Sequence, residues 1–182
     1  QLHDLDKALE RLMTAAFEGE KIVVYGDYDL DGVTSTAVML EALQVLGADV
    51  TAYIPNRFQD GYGPNLAAYQ RLIADGAQVI VTVDNGISGH EAVAYAMSQG
   101  VDVIITDHHE MGPTLPDAYA IVHPRHPEGD YPFTDLSGVG VAFKLAQALL
   151  TDGEPVQDKS ELPTEMLDLV ALGEIADMVS LT

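Results

Sequence analysis

The chain has 182 residues and no cysteine, and its 29 acidic against 8 basic side chains leave a net charge of −21. The missing cysteine excludes disulfides and thiolate metal sites, and the charge argues against a basic nucleic-acid-binding surface, since Lys and Arg drive phosphate binding. With 47% apolar residues the chain can bury a core, and no stretch approaches the roughly 18 apolar residues of a membrane helix.

Apolar residues at Leu2, Leu5, Leu9, Leu12, Met13 and Ala16 predict a helix over 2–17. Ile22–Tyr25 is a short β-branched run with polar punctuation, which reads as a buried strand. A helix is expected over 34–46, stopped near Gly47, and a strand over 50–54. A loop over 55–64 holds Asn56-Arg57 and Asp60-Gly61-Tyr62-Gly63. A helix over 65–74 has Asn65 as its N-cap, followed by a strand at Val79–Val83. The helix expected over 88–99 begins with Ser88 and Glu91 in a capping-box pattern. Strands over 101–106 and 119–122 and a helix over 139–150 follow. The end of the chain reads as a polar loop, 151–163, and a closing helix, 166–172. Alternating strands and helices predict an α/β fold, with a mostly parallel five-stranded sheet flanked by helices and a helical C-terminal portion.

The acids are not scattered. The first strand runs into Gly26-Asp27-Tyr28-Asp29-Leu30-Asp31-Gly32, the third into Asp84-Asn85-Gly86, and the fourth into Asp107-His108-His109-Glu110. Each piece alone is an ordinary solvated turn. A calcium loop at Asp27–Asp31 lacks its later glutamate, since Val38 and Leu40 stand in the candidate positions. Together, the three strand ends meet at one edge of a parallel sheet, where open α/β folds place their sites. Like charges so close repel unless a cation lies among them. Oxygen ligands suit Mg²⁺ and Mn²⁺, and the imidazoles tilt the choice toward Mn²⁺. Arg57 and Arg125 follow strands toward the same edge and are candidate phosphate clamps. Gly138-Val139-Gly140 opens a helix that could offer backbone N–H groups to a phosphate or form a tight packing turn.

These motifs resemble the DHH phosphoesterase superfamily. Tyr53-Ile54-Pro55-Asn56-Arg57-Phe58, Gly61-Tyr62-Gly63 and the run from Leu136 to Phe143 are similar to its RecJ-type exonucleases, and Ala171-Leu172-Gly173-Glu174-Ile175-Ala176-Asp177 resembles the fourth metal motif. The resemblance implies that residues 1–182 form a DHH catalytic domain binding one or two Mn²⁺ or Mg²⁺ ions. Asp29 and Asp84 would hold one metal, and Asp31, Asp84, His108 and Asp177 the other. His109 would contact substrate or orient the site, with Asp27 and Asp107 behind the ligands. Tyr25 departs from the pattern, standing where many members have a histidine, so the first metal would lack a nitrogen ligand.

The implied activity is metal-dependent 5′-to-3′ hydrolysis of single-stranded DNA in repair and recombination. Single-stranded DNA would be the partner, along with repair proteins reached through regions outside this chain, and no membrane. The alternatives are hydrolysis of short oligonucleotides or cyclic dinucleotides, or an inactive metal-binding interaction domain. The first residues, Gln1-Leu2-His3-Asp4, form neither a signal peptide nor an initiator start. The chain is therefore expected to be a fragment lacking the family's second domain and nucleic-acid-binding module, from a cytoplasmic protein.

Overall fold

The computed structural model describes residues 1–151, so most of the 151–163 loop, the closing 166–172 helix and Asp177 lie outside the described residues. The described elements are α1 (Leu5–Glu18), β1 (Ile22–Tyr25), α2 (Leu30–Val45), β2 (Val50–Tyr53), α3 (Leu66–Ala74), β3 (Val79–Val83), α4 (His90–Ser98), β4 (Asp102–Thr106), β5 (Ala120–Val122) and α5 (Gly138–Leu150). The strands form one sheet in the order β2-β1-β3-β4-β5, and every neighbouring pair is parallel. The predicted α/β architecture with five parallel strands is the one observed.

Burial on both sheet faces explains why the central strands read as continuous apolar runs. Ile22 and Val24 join Val79, Val81 and Val83 in a core covered by α1, α2 and α5. Their neighbours Val23 and Tyr25 join Ile80, Val103 and Ile105 under α3 and α4. Successive side chains of a strand point to opposite faces, so one short run feeds both cores. Because all strands run the same way, Tyr25, Val83, Thr106 and Val122 end at one edge. The chain steps from β1 outward to β2 and then returns to β3 on the other side. That reversal opens a crevice between the ends of β1 and β3.

Three helix starts differ from expectation, the first being α1, which begins at Leu5 rather than residue 2, after Asp4 as N-cap. The second helix begins at Leu30 rather than residue 34, because Asp29 is its N-cap and accepts a hydrogen bond from Gly32 N at 2.7 Å. Gly32 permits this tight start, since a Cβ there would meet Asp27 Cβ at 2.5 Å. The fourth helix has Gly89 as N-cap with no side-chain cap, so the Ser88–Glu91 capping box does not form. Gly89 sits against the Pro64 ring, where a side chain would overlap it.

Tyr25 is wholly buried. Its ring stacks on Tyr53 with centroids 5.3 Å apart and meets Tyr69 edge-on at 5.1 Å. Its hydroxyl donates to Gly63 O at 3.1 Å and accepts from Asn65 N at 3.3 Å, tying the 60–65 loop to the sheet. The side chain at this position therefore works in the core. Tyr25→His should lose about 2–4 kcal/mol of stability, read as a lower urea midpoint, through a cavity and a broken tether. An unchanged midpoint together with an additional bound metal would instead make position 25 a ligand position.

Candidate metal centre

The loops after β1, β3 and β4 converge on Asp84. Asp84 follows β3 in the left-handed region, at φ 60, and is 1% exposed. Asp tolerates that conformation better than most residues, though at some cost. Asn85 laces the neighbouring strand ends together: its Nδ2 donates to Tyr25 O, Gly26 O and Val83 O at 3.0, 3.1 and 2.9 Å. The crevice between β1 and β3 is thus closed at its base by one amide.

Around Asp84 the structure forms two groupings that share its carboxylate. Ligand-competent atoms of Asp27, Asp29 and Asp84 all lie within 4.8 Å of one another, as do those of Asp84, His108 and His109. Asp27, expected to lie behind the ligands, therefore shares this grouping with Asp29. His108 Nε2 lies 3.0 Å from Asp84 Oδ1 and 3.6 Å from Asp31 Oδ2. Among the described residues, neither carboxylate oxygen of Asp84 accepts a hydrogen bond. Two buried acceptor oxygens without donors are costly in a protein interior, and a cation meets that need directly. Oxygens and imidazole together are the donor set of Mn²⁺ and, less selectively, Mg²⁺. The residues present fit a divalent ion.

Asp31 is fixed by a helix that is remote in sequence. Gly138 N and Val139 N at the start of α5 donate to its two oxygens, each at 2.8 Å. The positive end of the helix favours the carboxylate form there. Gly140 N is committed to Ser137 Oγ at 3.0 Å. The N–H groups of Gly138-Val139-Gly140 thus serve an aspartate and a cap, and are not open to a phosphate. Glycine is required at 138 because a Cβ would run into the Asp84 carboxylate.

Asp107 organises the histidine pair. Its Oδ1 accepts from His108 N and His109 N at 2.8 and 3.2 Å and lies 2.6 Å from His109 Nδ1, while its Oδ2 accepts from Ile87 N at 3.0 Å. Burial alone would raise the pKa of Asp107, but the bonds from His109 and the Ile87 amide outweigh it and hold the carboxyl below its ordinary value. The Tyr62 hydroxyl lies 2.9 Å from His109 Nδ1 and 3.5 Å from Asp84 O. Sequence reasoning gave no role to Tyr62 or Asn85, although both sit inside the motifs it singled out. Arg125 Nη2 donates to His108 O at 2.7 Å, and the Arg57 guanidinium lies 5.7 Å from the centroid of the Tyr28 ring. Both arginines thus border the acidic loops. His3, His126 and Glu128 form a third grouping, but the two rings are stacked 4.0 Å apart and His126 Nδ1 accepts from Glu128 N.

Comparison with known proteins places these features in a family. The model of the DHH family, N-terminal domain, matches residues 21–174. The chain is 52% identical over its whole length to the single-stranded-DNA-specific exonuclease RecJ of Bacillus subtilis, of which it covers 22%. It is 48% identical to the Escherichia coli exonuclease of the same name, again over its whole length and covering 33% of that protein. A crystal structure of exonuclease RecJ bound to manganese superposes with a TM-score of 0.84 at 38% identity, over 98% of this chain and 44% of that one. The chain thus spans from about a fifth to a third of these curated relatives' length.

Burial first, and the nearby Asp31 charge second, push the Asp84 carboxyl far above the ordinary carboxylate range. A carboxyl that binds its proton more tightly when folded contributes stability at low pH and loses it as pH rises past the unfolded value. Asp84→Asn keeps the shape and tolerates the left-handed backbone. In chelator it should raise the melting temperature, and the gain over wild type should grow between about pH 5 and pH 8, by at most about 1.4 kcal/mol per unit. A gain independent of pH, or a loss, would mean that Asp84 is not under this strain.

Proposed function

The chain belongs to the DHH family, and from that premise we propose that residues 1–182 are the catalytic core of a metal-dependent exonuclease acting on single-stranded DNA. The observation that carries the proposal is the buried Asp84 carboxylate, shared by two ligand groupings and accepting no hydrogen bond among the described residues. The proposed ligands are Asp29, Asp31, Asp84 and His108, with Asp177, which lies outside the described residues, and with Asp27 as a further ligand beside Asp29. One or two ions of Mn²⁺ or Mg²⁺ fit this donor set. When bound, such ions neutralise charge on a phosphate and lower the pKa of a coordinated water, which is what phosphodiester hydrolysis requires.

The chain's own groups do the rest. Asp107 and Tyr62 both meet His109 at Nδ1 and orient its imidazole beside Asp84. That ring is placed to stabilise charge on a phosphate oxygen at the mouth of the site. Arg125 and Arg57, half a step outside the acids, are the groups that would bind the backbone phosphates. Asp31, clamped by the α5 N-terminus, cannot swing away when substrate arrives. The reading gains support from the RecJ relatives, whose names state single-stranded-DNA specificity. Cleavage from the 5′ end, a role in repair and recombination with other repair proteins, and a cytoplasmic setting belong to the same proposal. No described helix is long and apolar enough to cross a membrane.

A domain of charge −21 needs positive surface from elsewhere to hold a polyanion. The longer protein carrying this segment should release mononucleotides from 5′-labelled single strands with Mn²⁺ and spare duplexes. The isolated chain should bind and degrade the same strands poorly. Asp84→Ala should abolish calorimetric Mn²⁺ binding and slow hydrolysis by roughly a hundredfold or more. Hydrolysis of cyclic dinucleotides with strands ignored would retain the metal centre and overturn the substrate. Mn²⁺ binding without hydrolysis of either would make the domain an interaction module.

A further inference from the structure

The segment after β5 reaches back to the histidine pair in a way that neither the ligand set nor the phosphate clamps explain. His123 is 1% exposed and follows Val122, the last residue of the edge strand. Its Nδ1 accepts from Arg125 N at 3.0 Å, and its Nε2 lies 2.8 Å from His109 O. The first contact fixes the second. A ring nitrogen that accepts a main-chain N–H carries no proton, so the neutral ring's hydrogen is on Nε2 and points at the carbonyl. Every polar atom of this buried ring is thereby used, and the 123–126 turn closes through His126 N to His123 O at 3.1 Å. From the same segment, the Arg125 guanidinium takes the preceding carbonyl, His108 O, at 2.7 Å.

We propose that His123 is a positioning residue for the metal centre: with Arg125 it holds the consecutive carbonyls of His108 and His109 and thereby aims both imidazoles. Asp107 grips the amides of the same two residues from the other side. The two peptide units are held at both ends, and the Cα–Cβ directions of the two histidines follow. The loop needs this support because it leaves β4 with no helix directly behind it and must place two adjacent rings within 4.4 Å of each other. Groups behind metal-ligating histidines commonly act on affinity through orientation. Here the support runs through the main chain instead of the second ring nitrogen.

The inference rests on the metal-centre reading above, and its test separates the two. Titration of the chain with Mn²⁺ alone, followed by calorimetry, should show binding about tenfold or more weaker in His123→Leu, which keeps bulk but loses donor and acceptor. His123→Asn should restore most of the affinity, since a carboxamide can accept from the N–H two residues on and donate to a carbonyl. If the leucine variant does not fold, His123→Asp carries the test. It keeps the acceptor for Arg125 N and loses the donor to His109 O. Its added negative charge would by itself tighten a cation, so weaker binding than in His123→Asn reports the lost donor. In metal-free protein the His108 and His109 amides should also exchange faster in the leucine or aspartate variant. Folded His123→Leu with wild-type Mn²⁺ affinity, or an aspartate variant binding as tightly as the asparagine one, would overturn the proposal and leave His123 a purely structural residue. Absence of Mn²⁺ binding in the wild type would overturn the metal-centre reading and this inference with it.

Discussion

A buried carboxylate that accepts no hydrogen bond among the described residues, with the His108 imidazole close by, is the constraint on which this structure turns. Asp84 sits in a left-handed backbone conformation, at 1% exposure, with Asp27, Asp29 and Asp31 around it. Desolvating such a group costs on the order of several kcal/mol, and the neighbouring charges add to the cost. The surrounding fold is arranged to tolerate that cost until a cation arrives. Glycine at 138 leaves the carboxylate room, and the Asn85 amide ties the flanking strand ends so that the loop cannot relax outward.

The other acids are stabilised locally, each by a different device. Asp29 caps α2, and Asp31 takes the first two amides of α5, so two helix N-termini face the site with their positive ends. Asp27 accepts from Tyr28 N, although burial still raises its pKa. Asp107 collects four donors and stays ionised behind the histidines. The ionised partner therefore lies at the back of the centre and the strained one at its middle. That division suits a site in which the middle carboxylate exchanges a proton for a metal.

The net charge of −21 looks hostile to a polyanionic substrate, and position along the chain resolves the conflict only in part. Clustering explains the acids at the strand ends. Among the described residues, the positive charge near them comes from Arg57 and Arg125, and both are anchored to site loops through Tyr28 and the His108 carbonyl. Such anchoring lowers the entropy lost when a flexible arginine meets a phosphate. Two arginines do not neutralise a strand of DNA, and this fits a segment covering a minority of its relatives' length.

Much of this was legible in the amino-acid order. The β-branched runs at Ile22–Tyr25 and Val79–Val83, alternating with helical spacing, determined a parallel sheet, and parallel strands put their carboxyl ends on one edge whatever the details. The acids written immediately after those runs, with His108 and His109, therefore belong at one place by their order in the chain alone. Local rules failed where a distant residue outcompeted them. Ser88 did not cap its helix because Gly89 packs on Pro64, and Tyr25 is a core residue because Tyr53, Tyr69 and the Gly63 carbonyl surround it. The N–H groups of Gly138 and Val139 read as open to an anion, yet they hold Asp31, more than a hundred residues earlier. Sequence by itself determined which chemistry collects at the sheet edge, because strand direction and residue type are local. Which group holds which was decided only by the tertiary structure, because those hydrogen bonds join residues whose proximity no spacing along the chain encodes.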